Sequence, residues 1–267
     1  MTQETKNLPQ NHELYTDKYF LRTKEILTRE RINPRVSMKV FTRGEGKVAG
    51  LKEAVEVLLE YSDLKKNGEI WVTKSDSYMT KEPLIVIKGP IQSFVELETM
   101  YLGVLSSAIS EANGIAKPNT ESIKQKLERL TKIYQEKQIT YFGARHYHWS
   151  LDQKIAKAAL DGGAVQTSTD IGSFNIQKEG VGTIPHALVL TLAYVYGRDT
   201  ATLKSAELFD RYMALNIPRV NLVDTFNREL TDSLTVAKYF SNRKNTIRID
   251  TCGENIGESG SLYNGEK

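Results

Sequence analysis

From about residue 139 onward the chain alternates short apolar strand candidates with helical segments, and this rhythm limits its fold more than any other feature. In order the segments read ITYFGAR, QKIAKAALDGG, AVQTSTD, ALVLTLAYVYG, SAELFDRYMALN, VNLVDTF, LTVAKYFSNR and TIRID. A strand that returns through a helix comes back parallel, so the pattern predicts parallel β-α units. Closing a barrel takes roughly eight such units, and about four fit here. The chain stops at ESGSLYNGEK, directly after a strand. The expectation is therefore an incomplete, irregular α/β barrel over residues 138–267, with the carboxyl-terminal part of the barrel missing.

Residues 1–137 read differently, as a sandwich-like α/β domain with a linking helix. The first 13 residues are polar and predicted to fray. YTDKYFLRTKEILTRE then has helical spacing, with Thr16 or Asp17 placed to cap its exposed amides. Alternation over Arg35–Phe41 predicts a strand, GLKEAVEVLLEYSDL a helix, and PLIVIKGP a second strand closed by Gly89-Pro90. SFVELETMYLGVLSSAISEANG is a helix that stops at Asn113-Gly114. A linker at Lys117-Pro118-Asn119 leads into a charged amphipathic helix over residues 120–136.

Composition narrows the function classes. With 267 residues, 40% of them hydrophobic, the chain can bury a core. Its 36 basic and 33 acidic residues are interspersed, so no basic stripe argues for nucleic acid. The single cysteine, Cys252, rules out an internal disulfide and any multi-cysteine zinc site. No run approaches 18 apolar residues and the amino terminus carries no signal peptide, so the expected setting is the cytoplasm, with no membrane partner.

In parallel β-α folds, polar residues just past the strand ends converge on one rim. Such clusters occur at Phe142-Gly143-Ala144-Arg145, Thr167-Ser168-Thr169-Asp170, Asp224-Thr225 and Arg248-Ile249-Asp250, the last with a Thr251-Cys252-Gly253-Glu254-Asn255 turn behind it. Thr183 and His186 lie in a further cluster ahead of a helix. Together they equip a site for a planar anion and a magnesium diphosphate. Taken singly, Phe142 could equally be core, either arginine a surface ion pair, and His186 a helix-start residue.

The order Tyr15-Thr16-Asp17-Lys18-Tyr19, Glu82-Pro83-Leu84 to Gly89-Pro90, Glu96-Leu97-Glu98-Thr99, Phe142-Gly143-Ala144-Arg145, Gly182-Thr183-Ile184-Pro185-His186-Ala187, Leu222-Val223-Asp224-Thr225 and Arg248-Ile249-Asp250 resembles nicotinate phosphoribosyltransferases, particularly the shorter archaeal type. The likeness runs from about residue 14 to 258. It implies transfer of a phosphoribosyl group to nicotinate in NAD biosynthesis, stimulated by ATP as co-substrate and using Mg2+. It also implies a homodimer or higher homo-oligomer with shared sites. By that resemblance Tyr19 from a neighbouring copy and Phe142 sandwich the pyridine ring, Arg145 and Arg248 meet phosphate or carboxylate oxygens, and Asp250 holds the ribose or its magnesium. Ser168, Thr169, Thr183 and Asp224 line the substrate site, and His186 is phosphorylated by ATP.

Two departures bear on specificity and completeness. Asp170 stands where many nicotinate enzymes have only small hydroxyl residues and where the related nicotinamide enzymes use an aspartate. The glycine-rich phosphate loops expected after further barrel strands are absent from the sequence. A nicotinamide- or quinolinate-using relative, and a non-catalytic truncated homologue, therefore remain open alternatives.

Overall fold

The computed structural model describes residues 8–251 and 256–260. Residues 1–7, the Cys252-Gly253-Glu254-Asn255 part of the turn and the last seven residues lie outside the described residues. Residues 8–13, expected to fray with the first seven, are instead held in place, with Asn11 capping a tight turn over His12–Tyr15 and His12 Nε2 3.2 Å from Glu96 Oε1. The order of elements in the chain is α1 (Lys18–Arg29), β1 (Arg35–Phe41), β2 (Gly46–Lys47), α2 (Leu51–Tyr61), α3 (Leu64–Asn67), β3 (Glu69–Val72), β4 (Ser77–Tyr78), β5 (Pro83–Pro90), α4 (Glu98–Ala112), α5 (Thr120–Ile133), β6 (Thr140–Tyr141), α6 (Asp152–Asp161), β7 (Gln166–Thr167), α7 (Asp170–Ser173), α8 (His186–Tyr196), α9 (Arg198–Tyr212), β8 (Val220–Leu222), α10 (Glu229–Tyr239) and β9 (Thr246–Arg248). The chain divides into two compact units, one of Met1–Leu21 with Ile32–Gly182 and one of Arg22–Arg31 with Thr183–Lys267.

In the first unit, β5 is the centre of a three-stranded antiparallel sheet, flanked by β1 and β3. The register sets Met38 against Ile87, Val40 against Ile85 and Ile70 against Ile87. β1 alternates inward Val36, Met38 and Val40 with exposed Arg35, Ser37 and Lys39, as a sheet with one wet face requires. Helix α4 buries Thr99, Met100, Tyr101, Gly103, Val104 and Leu105 and ends at Asn113 with Gly114 at φ 76°, the stop the sequence predicts. A side chain at Gly103 would bring its Cβ within 2.3 Å of the Tyr147 carbonyl oxygen. Only glycine lets α4 come this close to the segment that carries Arg145.

β6 and β7 pair in parallel, Thr140 with Gln166 and Tyr141 with Thr167, with α6 between them in the chain. Leu127 of α5, Ala159 of α6 and Ala164 form a small core against which Ile123, Leu130, Ile139, Tyr141 and Leu160 pack. This packing ties residues 138–182 to the first unit. The first compact unit therefore continues past residues 137/138, where the strand rhythm changes, to Gly182.

The second unit holds another parallel pair, β8 with β9, in register from Val220/Thr246 to Leu222/Arg248. Ala206 of α9 with Val236 and Phe240 of the α10 region form its core against Ile247. The long stretch before β8 is two consecutive helices, α8 and α9, which interrupts the expected alternation of strand and helix. Among the described residues beyond 138 there are four short strands in two separate parallel pairs, one in each unit. No helix among the described residues is long and apolar enough to cross a membrane.

Candidate functional site

In the first unit, the ends of β6 and β7 bring two of the sequence clusters side by side. Because Tyr141 pairs with Thr167, the residues that follow, Phe142 and Ser168, emerge together at the rim. α1 docks there by a hydrogen bond from the Lys18 backbone N–H to the Ser168 carbonyl, 2.8 Å long. Its first turn presents Tyr19, whose ring lies 6.1 Å from that of Phe142, centroid to centroid, at 10°. A flat ring inserted between them would need about 7 Å, two van der Waals contacts, so the two rings would have to part by about 1 Å to admit it. The two aromatics expected to sandwich a base therefore face each other within one chain, an arrangement that does not itself call for a tyrosine from a neighbouring copy.

Arg145, in a single turn of tight helix at Ala144–His146, has its guanidinium carbon 5.8 Å from the centre of the Tyr19 ring. Its Nε is 3.5 Å from Asp17 Oδ2 and its Nη1 donates to Glu98 Oε1 at 3.1 Å. Burial opposes its charge, but Tyr19, Asp17 and Glu98 outweigh burial and keep the guanidinium protonated. Burial also raises Glu98, with Arg145 pulling the other way, and burial followed by Asp17 raises the Tyr19 phenol well above its ordinary value. Asp17 is fully buried. It accepts from the Tyr19 hydroxyl and from Thr99 Oγ1, each at 3.0 Å.

The hydroxyl cluster is built as a buried network. Thr169 caps α7 by accepting from Gly172 N at 3.1 Å and donates to Asp152 Oδ2 at 2.5 Å. Ser168 Oγ is buried with no hydrogen-bond partner, leaving its hydroxyl available to an added group. Asp170 accepts from Lys18 Nζ through both oxygens, at 3.0 and 2.8 Å, and from the Gly180 N–H at 2.8 Å. The negative charge of Asp170 is thus met by a lysine 152 positions away in the chain, and not by an arginine.

In the second unit, the ends of β8 and β9 carry Asp224 and Asp250. Asp224 Oδ2 accepts from the N–H groups of Asp250 and Thr251, at 2.6 and 2.5 Å. Burial raises its pKa, but these two backbone bonds and His186 outweigh burial and hold the carboxyl below its ordinary range. His186 opens α8. Its Nε2 is 3.2 Å from Asp224 Oδ1 and 3.1 Å from Thr251 Oγ1, and its Nδ1 is 3.7 Å from Asp250 Oδ2. Arg248 Nη2 stands 3.5 Å from the same Asp250 oxygen. Two carboxylates therefore flank His186, Asp224 on its Nε2 side and Asp250 on its Nδ1 side, and its hydrogen bond is with Thr251 Oγ1. Thr183 instead spends its hydroxyl on the Val220 carbonyl at 2.5 Å, which fixes the approach to α8.

Asp17, Lys18, Glu98, Thr99 and Asp152 were not singled out for the site by sequence. Asp17, Lys18, Glu98 and Thr99 do lie within two of the motif blocks, which was the available signal. Among the described residues no group of three or more histidine, cysteine, aspartate or glutamate side chains could hold a metal ion. Half-exposed Asp250 fits a magnesium ion only as one carboxylate beside phosphate oxygens, the usual way Mg2+ is bound by proteins.

Residues 17–109 match the family model described as the quinolinate phosphoribosyl transferase N-terminal domain. Among solved structures, a candidate nicotinate phosphoribosyltransferase from Saccharomyces cerevisiae is 14% identical with a TM-score of 0.66, over 93% of this chain and 72% of that one. A nicotinate phosphoribosyltransferase from Vibrio cholerae is 14% identical with a TM-score of 0.64, over 90% of this chain and 66% of that one. A nicotinate-nucleotide pyrophosphorylase from Pyrococcus furiosus is 27% identical with a TM-score of 0.46, over 93% of this chain and 61% of that one. This chain thus spans from 61% to 72% of the length of these three proteins. It has the α/β fold of the type II phosphoribosyltransferases, with similarity to the quinolinate phosphoribosyl transferase N-terminal domain over residues 17–109.

Proposed function

We propose that this chain is the base-binding and nucleotide-handling portion of a nicotinate phosphoribosyltransferase. The observation that carries the reading is the near-parallel Tyr19–Phe142 pair with the Arg145 guanidinium beside it. Aromatic faces hold a flat ring at a set height, and a forked cation orients a carboxylate. The pyridine nitrogen would form its bond to the anomeric carbon of phosphoribosyl diphosphate as the bond from that carbon to the diphosphate oxygen breaks and diphosphate leaves. No proton moves, so holding the partners in line is the main task of the protein. Mg2+, arriving with the diphosphate, neutralises the leaving group, and Asp250 can offer it one oxygen.

His186 is the proposed acceptor of a phosphoryl group from ATP. Carboxylates flank both ring nitrogens, Asp224 Oδ1 3.2 Å from Nε2 and Asp250 Oδ2 3.7 Å from Nδ1, and Thr251 Oγ1 makes the hydrogen bond to Nε2 at 3.1 Å. In this proposal the nearer Asp224 draws the imidazole hydrogen to Nε2 and leaves the Nδ1 lone pair for the phosphoryl group. Assembly as a homodimer, implied by the resemblance, belongs to the same proposal.

A second reading, quinolinate as the base, is favoured by the family match over residues 17–109. Against it stands the local charge, two cations (Lys18 and Arg145) among three carboxylates (Asp17, Glu98 and Asp170), which suits a monoanion better than a dianion. The test supplies phosphoribosyl diphosphate, magnesium and ATP with nicotinate, nicotinamide or quinolinate in turn, followed by chromatography. Nicotinate mononucleotide from nicotinate alone supports the proposal. The same product with release of carbon dioxide, from quinolinate alone, favours the second reading. A folded protein that converts none of the three overturns both.

A further inference from the structure

The motif Tyr15-Thr16-Asp17-Lys18-Tyr19 also places a lysine at the rim. Lys18 precedes Tyr19, and its ammonium group reaches across to Asp170 at 3.0 and 2.8 Å. Both side chains are largely buried, with 17% and 24% of their surface exposed. Its backbone N–H holds the Ser168 carbonyl, so the lysine is fixed at the rim where Phe142 and Ser168 emerge. Its other anionic neighbour, Glu179 at 3.6 Å, is a solvent-exposed side chain.

Asp170 is thereby a paired charge. It lies three residues beyond Thr167, on the same rim as the aromatic slot. An unpaired carboxylate there would act through a poorly screened, partly buried environment on any anion held between Tyr19 and Phe142. A neutral ring of the same shape would feel little of it.

We propose that Lys18 is a specificity-determining residue that admits a ring bearing a carboxylate by cancelling the charge of Asp170. The inference rests on the reading of this rim as a pyridine carboxylate site. The competing role for the pair is mechanical, since Asp170 also accepts from Gly180 N at 2.8 Å and so anchors the loop that leads to Gly182. Charge and anchoring predict different patterns. Loss of charge compensation penalises anionic rings alone, and loss of the anchor penalises every ring.

The experiment measures equilibrium binding of nicotinate and nicotinamide to the full chain by calorimetry, which needs no turnover. The variants are Lys18→Met, Lys18→Arg and the double variant Lys18→Met with Asp170→Asn. The expected result for Lys18→Met is weaker nicotinate binding by about tenfold, equivalent to about 1.4 kcal/mol, with nicotinamide binding changed by far less. Lys18→Arg should retain nicotinate binding, and the double variant should regain it because both charges are gone. Equal loss of both rings in Lys18→Met, with no recovery in the double variant, overturns the proposal and leaves the pair as a loop anchor. A wild-type protein that binds neither ring overturns the functional reading itself, and the proposal with it.

Discussion

Thr99 holds Asp17 at two points. Its hydroxyl donates to Asp17 Oδ2 and accepts from the Asp17 backbone N–H, each bond 3.0 Å long. Through Asp17 this one side chain on the first turn of α4 sets the hydroxyl of Tyr19 and steadies the Arg145 guanidinium, while its neighbour Glu98 takes another arm of the same arginine.

Thr99→Val keeps the shape and removes both bonds. A buried N–H and a buried carboxylate oxygen then lose a partner, which costs about 1–3 kcal/mol. Urea denaturation should report that loss, and the change should be smaller for Thr99→Ser, which restores the hydroxyl. An unchanged midpoint in Thr99→Val would show that water or a side-chain shift replaces both bonds.

Asp152 makes folding stability depend on pH in an unusual direction for an acid. Burial pushes its pKa up to about 6, the hydrogen bond from Thr169 opposes the rise, and Asp17 adds to it. An unfolded aspartate releases its proton near 3.9, so at intermediate pH the folded chain keeps a proton that the unfolded chain has lost. The contribution of Asp152 to stability therefore falls as pH rises from about 4 to about 6 and levels off above that, a change on the order of 3 kcal/mol. Asp152→Asn should flatten this part of the profile. An identical slope in the variant would assign the titration elsewhere.

Asp210 acts with the opposite sign. It accepts from Arg219 Nε at 3.0 Å and from both terminal nitrogens of Arg243 at 3.0 and 2.5 Å. Burial raises its pKa, but the hydrogen bonds from Arg243 and Arg219 outweigh burial and lower it. Its stabilisation is present above the unfolded value and is lost as pH falls through the lowered one. Arg219 also donates to the carbonyls of Asp210, Met213, Ala214 and Ile217, so it closes the end of α9. Asp210→Ala takes the partner from buried Arg219 and from half-exposed Arg243 and should cost about 1–3 kcal/mol, the usual range for lost hydrogen bonds to charged groups. Thermal unfolding would show it, and a shift within experimental scatter would mean the arginine is held by the carbonyls alone.

The legible parts of the fold are those whose signal is local. β1 and β5 alternate and α2 and α4 repeat every three to four residues, so each announces its face within a dozen positions. Glu69–Val72 escaped because it is a four-residue edge strand, largely exposed, whose pairing with β5 lies in the partner and not in its own pattern. The same holds for the site. Polar residues after strand ends could be read from topology, whereas Thr99 acts on Asp17 from 82 positions away and Lys18 on Asp170 from 152. Such pairings are decided by which elements pack together.

The clearest functional prediction concerns His186 and Asp224. If Asp224 rather than Asp250 draws the imidazole hydrogen, that hydrogen sits on Nε2 and Nδ1 is the nucleophile towards ATP. Asp224→Asn can still accept from the Asp250 and Thr251 N–H groups, so the end of β9 should stay folded, but an amide no longer dictates which ring nitrogen keeps its lone pair. The phosphorylated protein should carry an acid-labile, base-stable label from ATP, absent in His186→Ala and strongly reduced in Asp224→Asn. ATP stimulation should disappear in His186→Ala, with basal transfer less affected. A label that persists in His186→Ala, or equal loss of basal and stimulated rates, would reduce His186 to a residue that packs the start of α8. A label lost in His186→Ala yet undiminished in Asp224→Asn would keep the nucleophile and remove Asp224 as the group that orients it, leaving Thr251, 3.1 Å from Nε2, as the partner that fixes the ring.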